Sequence, residues 1–128
     1  MLFRSWIDEF GDLDGDGYVE YLCKSSRGIR NQGWKDSADA VTHRDGKIAE
    51  PPIALAEVQG YVYMAKLRAA DVFDALADFR TAARLREEAE ELRRRFHEAY
   101  WMPDERYYAL ALDGEKRQVR TITSNPGH

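Results

Sequence analysis

Apolar and polar positions follow different rhythms along this chain, and the rhythms divide it into segments. Leu55, Val58, Val62, Ala65, Ala69, Val72 and Leu76 recur at steps of three and four, the spacing that puts side chains on one face of an α-helix. Pro51-Pro52 stands just ahead of them. A helix accepts proline in its first turn, where the missing N–H would have had no partner. After Ala77, Asp78 offers a side-chain oxygen as N-cap of a second helix. In that helix Leu85, Ala89, Leu92, Phe96 and Ala99 repeat the spacing, which runs out near Trp101-Met102-Pro103. Glu90 with Arg94 and Glu91 with Arg95 form i,i+4 pairs of the favourable orientation. Two amphipathic helices with so tight a connection predict an αα-hairpin.

The flanks have another character. Trp6 to Phe10 reads as the tail of a helix stopped by Gly11. Asp12 to Gly17 is a turn-rich run of Asp and Gly, residues that tolerate left-handed backbone. Tyr18 to Leu22 has the β-branched and aromatic content of a short strand. Lys24 to Pro52 shows neither period, and so long an irregular stretch in a compact domain tends to carry function. Tyr107 to Leu112 and Gln118 to Ile122 flank Asp113-Gly114, a β-hairpin signal. Ser124 to His128 reads as the lead-in to a further helix. One αα-hairpin buries little by itself, so the chain is expected to be an excerpt of a larger helical domain.

Composition narrows the classes. The 128 residues are 44% apolar and 33% charged, enough for a packed core in a water-exposed chain. No apolar run approaches the ~20 residues that span a bilayer, and no apolar h-region follows Met1-Leu2-Phe3-Arg4-Ser5. A cytoplasmic protein without membrane association is the expectation. Leu2 to Ser5 matches what a common sequencing adapter encodes, so residues 1–5 are expected to be non-native. The net charge of −4 argues against a nucleic-acid partner, since phosphate contacts demand a basic surface. Arg93-Arg94-Arg95 is offset by Glu87, Glu88, Glu90 and Glu91 and reads as a solvated helix face. Cys23 stands alone, and His43, His97 and His128 lack metal-ligand spacing. No cofactor is expected. Asp12, Asp14 and Asp16 are weak metal candidates, because a full calcium loop wants its bidentate Glu at the twelfth position, here Cys23. A rigid turn delivering Tyr18 and Glu20 is the preferred reading.

The richest stretch for chemistry is Gly28-Ile29-Arg30-Asn31-Gln32-Gly33-Trp34-Lys35-Asp36-Ser37. Trp34 offers a flat apolar face suited to the CH face of a sugar ring. Arg30, Asn31 and Gln32 offer hydrogen-bonding groups for hydroxyls. Asp36 is a carboxyl beside the indole, where partial burial would raise its pKa toward that of a general acid. The plain alternative is a loop with a tryptophan anchor and a solvated aspartate.

Asn31-Gln32-Gly33-Trp34-Lys35-Asp36-Ser37, followed by Glu57-Val58-Gln59-Gly60-Tyr61, resembles a motif pair of the amylo-α-1,6-glucosidase-like and glycogen-debranching-like proteins. These are grouped with the mannosylglycerate-hydrolase-like glycosidases of six-hairpin fold. The resemblance runs from about Trp6 to His128 and takes in the Asp12–Tyr21 stretch and Thr123–His128. It implies a mainly α fold: part of an (α/α)6 toroid, with the αα-hairpin, a long active-site loop and a small β-hairpin. Residues 1–128 would then be a fragment of one glycoside hydrolase catalytic domain. By the same resemblance Asp36 is the general acid of an inverting mechanism on α-linked glucosyl substrates. Inversion needs a second carboxylate ~6.5–9.5 Å from the first. The family's base lies well downstream, so the isolated chain is expected to be inactive. Trp34, Asn31, Gln32, Arg30, Glu57, Gln59 and Tyr61 are the expected substrate contacts. Ala38 departs from the bulkier residue the family often carries there. Two other readings stay open: a helical protein-interaction module, and a remnant that binds sugar without cleaving it. The oligomeric state is open.

Overall fold

The computed structural model describes residues 7–127. Residues 1–5, Trp6 and His128, on which several expectations fall, lie outside the described residues. A π-helical turn, Ile7–Gly11, opens the described residues where a helix tail was expected. Strand β1 (Ala54–Leu55) leads directly into α1 (Ala56–Ala75), and α2 (Phe79–Tyr100) follows after a three-residue turn. Four further two-residue strands complete the order: β2 (Trp101–Met102), β3 (Tyr107–Tyr108), β4 (Ala111–Leu112) and β5 (Gln118–Val119). A 3-10 turn, Asn125–Gly127, takes the place of the helix start expected near the end. The fold is mixed and mainly helical, with one αα-hairpin among the described residues.

The hairpin turns where the N-cap rule puts it. Asp78 accepts a hydrogen bond from Thr81 N at 3.1 Å, and Ala77 reverses the chain at φ 60°. Ala70, Ala82 and Leu85 pack between the helices, with Ala69 and Phe73 beside them. Lys66–Glu88 (2.7 Å) and Arg86–Asp74 (2.7 Å) bridge them at the surface. On α2 the buried stripe is the expected one, with Leu85, Ala89 and Leu92 inside. On α1 it is rotated by roughly a quarter turn. Val62, Tyr63, Ala69, Ala70 and Phe73 face the core, while Ala65, Val72 and Leu76 are exposed. The helix carries two apolar stripes, and the short connection selects which of them meets α2. The acidic–basic pairing on α2 also differs in register. Arg93 pairs with Glu90 (2.9 Å), and Arg94 bridges Glu91 and Glu98 (2.6 Å each). Arg95 instead turns inward, 5.3 Å from the centroid of the Tyr18 ring.

The strands depart from expectation in instructive ways. The Asp113-Gly114 hairpin exists as β4–β5, but β1 adds to it, giving an antiparallel sheet of order β1-β4-β5. Tyr107–Tyr108 does not belong to that hairpin and pairs with Trp101–Met102. Tyr18–Leu22 makes no strand beyond a single bridge, Tyr21 to Ile53; Val19 bonds the Gln59 side chain (below) and Glu20 N bonds Gly11 O, in place of a ladder partner. Pro51-Pro52, joined by a cis bond, precedes β1 and is not in the first helical turn. Leu55, extended at the N-cap, opens α1 without a side-chain cap. The sheet and the 41–53 segment share one core, with Val41, Ile53, Leu55, Leu110 and Val119. A second core joins Tyr18, Leu92, Tyr100 and Leu112. Among the described residues no helix is long and apolar enough to cross a membrane.

Candidate functional site

The N-terminal end of α1 gathers the long loop around three buried polar side chains. Gln59, 1% exposed, accepts from Val19 N (2.9 Å) and donates to Val19 O (2.7 Å) and Leu55 O (3.1 Å). All its amide hydrogens are spent on backbone. Glu57, two residues earlier on the helix and 4% exposed, accepts from Trp34 N at 3.4 Å and from the Asn125 amide. Asn31, 5% exposed, donates to Lys35 O and to Ser37 O (3.2 Å) and accepts from the Tyr21 hydroxyl and Gly33 N (3.4 Å). Burial pushes the Tyr21 hydroxyl up to about 12, so it stays a donor to Asn31 throughout the neutral range.

The loop 31–37 is therefore wound about the Asn31 amide and tied by Glu57 to the helix. The approach at Gly33 is close: a Cβ there would lie 2.5 Å from Leu55 Cδ1, and the Leu55 side chain would have to shift. The winding leaves Trp34 82% exposed, with Lys35, Asp36 and Ser37 also on the outside. The recess under Trp34, bounded by Asn31, Leu55, Glu57 and Asn125, encloses only about 10 Å³. A sugar ring has no room there, and any stacking must use the open face of the indole.

The expected site residues thus divide in two. Asn31, Glu57 and Gln59 are buried braces whose polar atoms are engaged by the protein. Trp34, Asp36, Arg30, Gln32 and Tyr61 are exposed. Arg30 stands at the rim of a separate cavity of about 310 Å³, with Tyr21, Cys23 and Ser25 on its wall and Val41 and Ile53 among its apolar lining. Gln32 makes only a long contact to Ile29 O, 3.5 Å. Asn125 and Tyr21 escaped the sequence reading. The only signal for Asn125 was an amide in the turn-forming Asn-Pro-Gly, which does not say that it caps a glutamate far back in the chain.

The chain matches no protein-family model, and no curated protein matches its sequence.

A second buried carboxylate supports the far side of the loop. Asp113, 0% exposed, accepts from Glu115 N (3.0 Å), Arg117 N (2.9 Å) and Arg117 Nε (2.8 Å), and lies 3.3 Å from His43 Nε2. Gly114 N donates to Glu50 O at 2.7 Å, and a Cβ on Gly114 would meet Pro51 O at 2.6 Å. The β4–β5 turn is thereby docked on the segment that leads into β1. Burial alone would raise the Asp113 carboxyl, but the backbone N–H groups and Arg117 outweigh it and hold it below the ordinary value of 3.8. A depressed folded-state pKa gives stability that is present above the unfolded value and lost as pH falls through the folded one. Asp113 is expected to contribute to acid unfolding from pH 3.8 downward. In Asp113→Asn, melting temperature recorded against pH should have a shallower acid limb; an unchanged limb would count against this role.

Proposed function

We propose that this chain is part of a glycoside hydrolase catalytic domain acting on α-linked glucosyl substrates, with Trp34 as the sugar platform and Asp36 as the general acid. The observation that carries the reading is Trp34, an indole 82% exposed on a loop that Asn31 and Glu57 hold from beneath. Soluble proteins bury most of such a side chain. Fixing its loop while leaving its face bare suits a flat apolar ligand surface that also presents hydroxyls, which is the surface of a pyranose. Asp36, two residues on and exposed, delivers a proton to the glycosidic oxygen as the bond breaks. A second carboxylate activates the attacking water on the opposite face, ~6.5–9.5 Å away. Asn31, Glu57 and Gln59 position the loop, and the exposed Gln32 is the closer candidate for a hydroxyl contact.

The test is a titration of the chain with maltose and isomaltose, followed by the Trp34 indole N–H resonance. Trp34→Ala should weaken binding about tenfold or more, the loss of one aromatic contact face. Asp36→Asn should leave binding intact; the isolated chain is expected to hydrolyse α-glucosides negligibly, and any turnover it does show should fall about 10²–10⁴-fold in this variant. Turnover unaffected by Asp36→Asn would remove the general-acid assignment; an indole resonance unmoved by either sugar would remove the platform. A protein-interaction reading is favoured by one feature, the exposed Val72 (58%), Leu76 (70%) and Phe79 (66%) at the tip of the hairpin. Under that reading sugars leave Trp34 unperturbed.

A further inference from the structure

The acidic loop before Tyr18 meets the β4–β5 turn in a cluster separate from the Trp34 loop. Carboxylate oxygens of Asp12, Asp14 and Asp16 lie within 4.8 Å of one another. Much of that convergence is turn construction. Asp12 accepts from Gly15 N (2.7 Å), Asp16 N (3.0 Å) and Gly17 N (2.7 Å), and Asp16 accepts from Tyr18 N (2.9 Å). Two facts lie beyond turn construction. The Glu20 side chain is 0% exposed, and its Oε2 is buried with no hydrogen-bond partner. Its other oxygen reaches the Lys116 ammonium, which also lies 2.9 Å from Asp14 Oδ2 and 2.6 Å from Asp16 Oδ2. Among the described residues it is the Lys116 ammonium that stands among Asp14, Asp16 and Glu20, with Asp12 alongside.

We propose that Asp12, Asp14, Asp16 and Glu20 form a divalent-cation site of calcium type, in which the Lys116 ammonium is a competing occupant. An ammonium has three protons. Those are used on Asp14, Asp16 and Glu20 Oε1, which leaves Glu20 Oε2 bare. Calcium has no such limit, taking six to eight oxygens at 2.3–2.6 Å in a flexible geometry. The side-chain donors are all carboxylate oxygens, which suits a hard cation and not zinc or copper. Counting Asp12 as first, the acids fall at positions one, three, five and nine, and Tyr18 brings its carbonyl to position seven, as in a calcium loop. The twelfth-position acid is missing, and Lys116 must be displaced. Affinity should therefore fall at the weak end of the calcium-loop range, about 10⁻⁴–10⁻³ M. Electrostatics agree with a crowded anionic site. Burial raises the Glu20 carboxyl above 4.5, and the three carboxylates outweigh the desolvation of Lys116 to raise its pKa.

The experiment is calorimetric titration of the full chain with calcium chloride, with melting temperature measured alongside and magnesium chloride as comparison. One calcium should bind per chain and raise the melting temperature, with magnesium weaker because it demands near-ideal octahedral geometry. Asp16→Asn should weaken calcium binding about tenfold or more by removing a charged ligand. Lys116→Gln should melt lower than the parent without calcium, and bind calcium several-fold more tightly. This second variant decides the matter should Asp16→Asn fail to fold. Absence of calcium binding in both the parent and Lys116→Gln overturns the proposal and leaves Lys116 as the cation that the cluster is built around. Calcium affinity unchanged by Asp16→Asn overturns it equally.

Discussion

Tyr100→Ala is expected to destabilise the chain by about 3–5 kcal/mol, the cost of emptying a buried aromatic site, and Tyr100→Phe by about 1 kcal/mol. Tyr100 ends α2 and has no exposed surface. Its ring stacks on Phe96, with centroids 4.4 Å apart, and meets the edge of Tyr18 at 5.5 Å. Its hydroxyl donates to Ala54 O at 3.0 Å, and its own carbonyl accepts from Ala109 N at 2.8 Å. One side chain therefore joins the end of the helical hairpin, the strand that opens α1 and the N-terminal loop. A mutation there should act on all three together. Denaturant unfolding followed by far-UV and near-UV circular dichroism measures it, and a cost below about 1.5 kcal/mol, the range of tolerated swaps, would mean that the neighbours refill the space. The phenylalanine variant isolates the hydroxyl, whose loss removes one buried hydrogen bond to Ala54 O.

The legibility of the fold follows the range of its interactions. The αα-hairpin could be read because a helix spacing, an N-cap at Asp78 and the stripe Leu85, Ala89, Leu92 are local signals. The face of α1 could not. Its residues offer two apolar stripes, and only the direction imposed by the three-residue connection makes Ala70 and Phe73 inner and Val72 outer. The strand expected at Tyr18–Leu22 failed for a related reason. Its residues suit a strand, but both backbone groups of Val19 are taken by the Gln59 side chain, brought from forty positions away by α1. Local propensity does not encode that meeting. Likewise Tyr107–Tyr108 has strand character without a local sign that its partner is Trp101–Met102.

The candidate site shows the same division. Residue chemistry singled out the 28–37 stretch, and the fold exposes Trp34 and Asp36. Asn31, Glu57 and Gln59 were read alongside them as polar groups for hydroxyls, yet they are interior. Sequence gives residue type, and type does not distinguish a polar side chain that meets ligand from one that satisfies backbone. Burial does, and here the inside carboxylate and amides hold the outside indole and carboxylate in place. The same economy recurs at Asp113, a buried acid that organises the β4–β5 turn through its backbone N–H groups.

Glu57 is the residue whose loss should separate scaffold from site most cleanly. Its carboxylate accepts from Trp34 N and from the Asn125 amide, so Glu57→Ala leaves two donors without partners in a closed space. The cost should be about 1–3 kcal/mol, and the freed loop should no longer hold Trp34 for a sugar. Glu57→Gln should behave differently. One oxygen of the new amide still serves Trp34 N, while its NH₂ would oppose the Asn125 NH₂. Asn125 Oδ1 has no partner at present, so turning the Asn125 amide over restores a donor–acceptor pair. Glu57→Gln is therefore expected to melt near the parent and to keep its sugar-dependent indole shift, whereas Glu57→Ala loses both. Should both variants lose the shift while keeping parental stability, Glu57 would be meeting ligand through its charge and the brace assignment would fail. Should neither lose it, the Trp34 loop would be held by Asn31 alone, through Lys35 O and Ser37 O, and Asn31→Ala would become the variant that releases it.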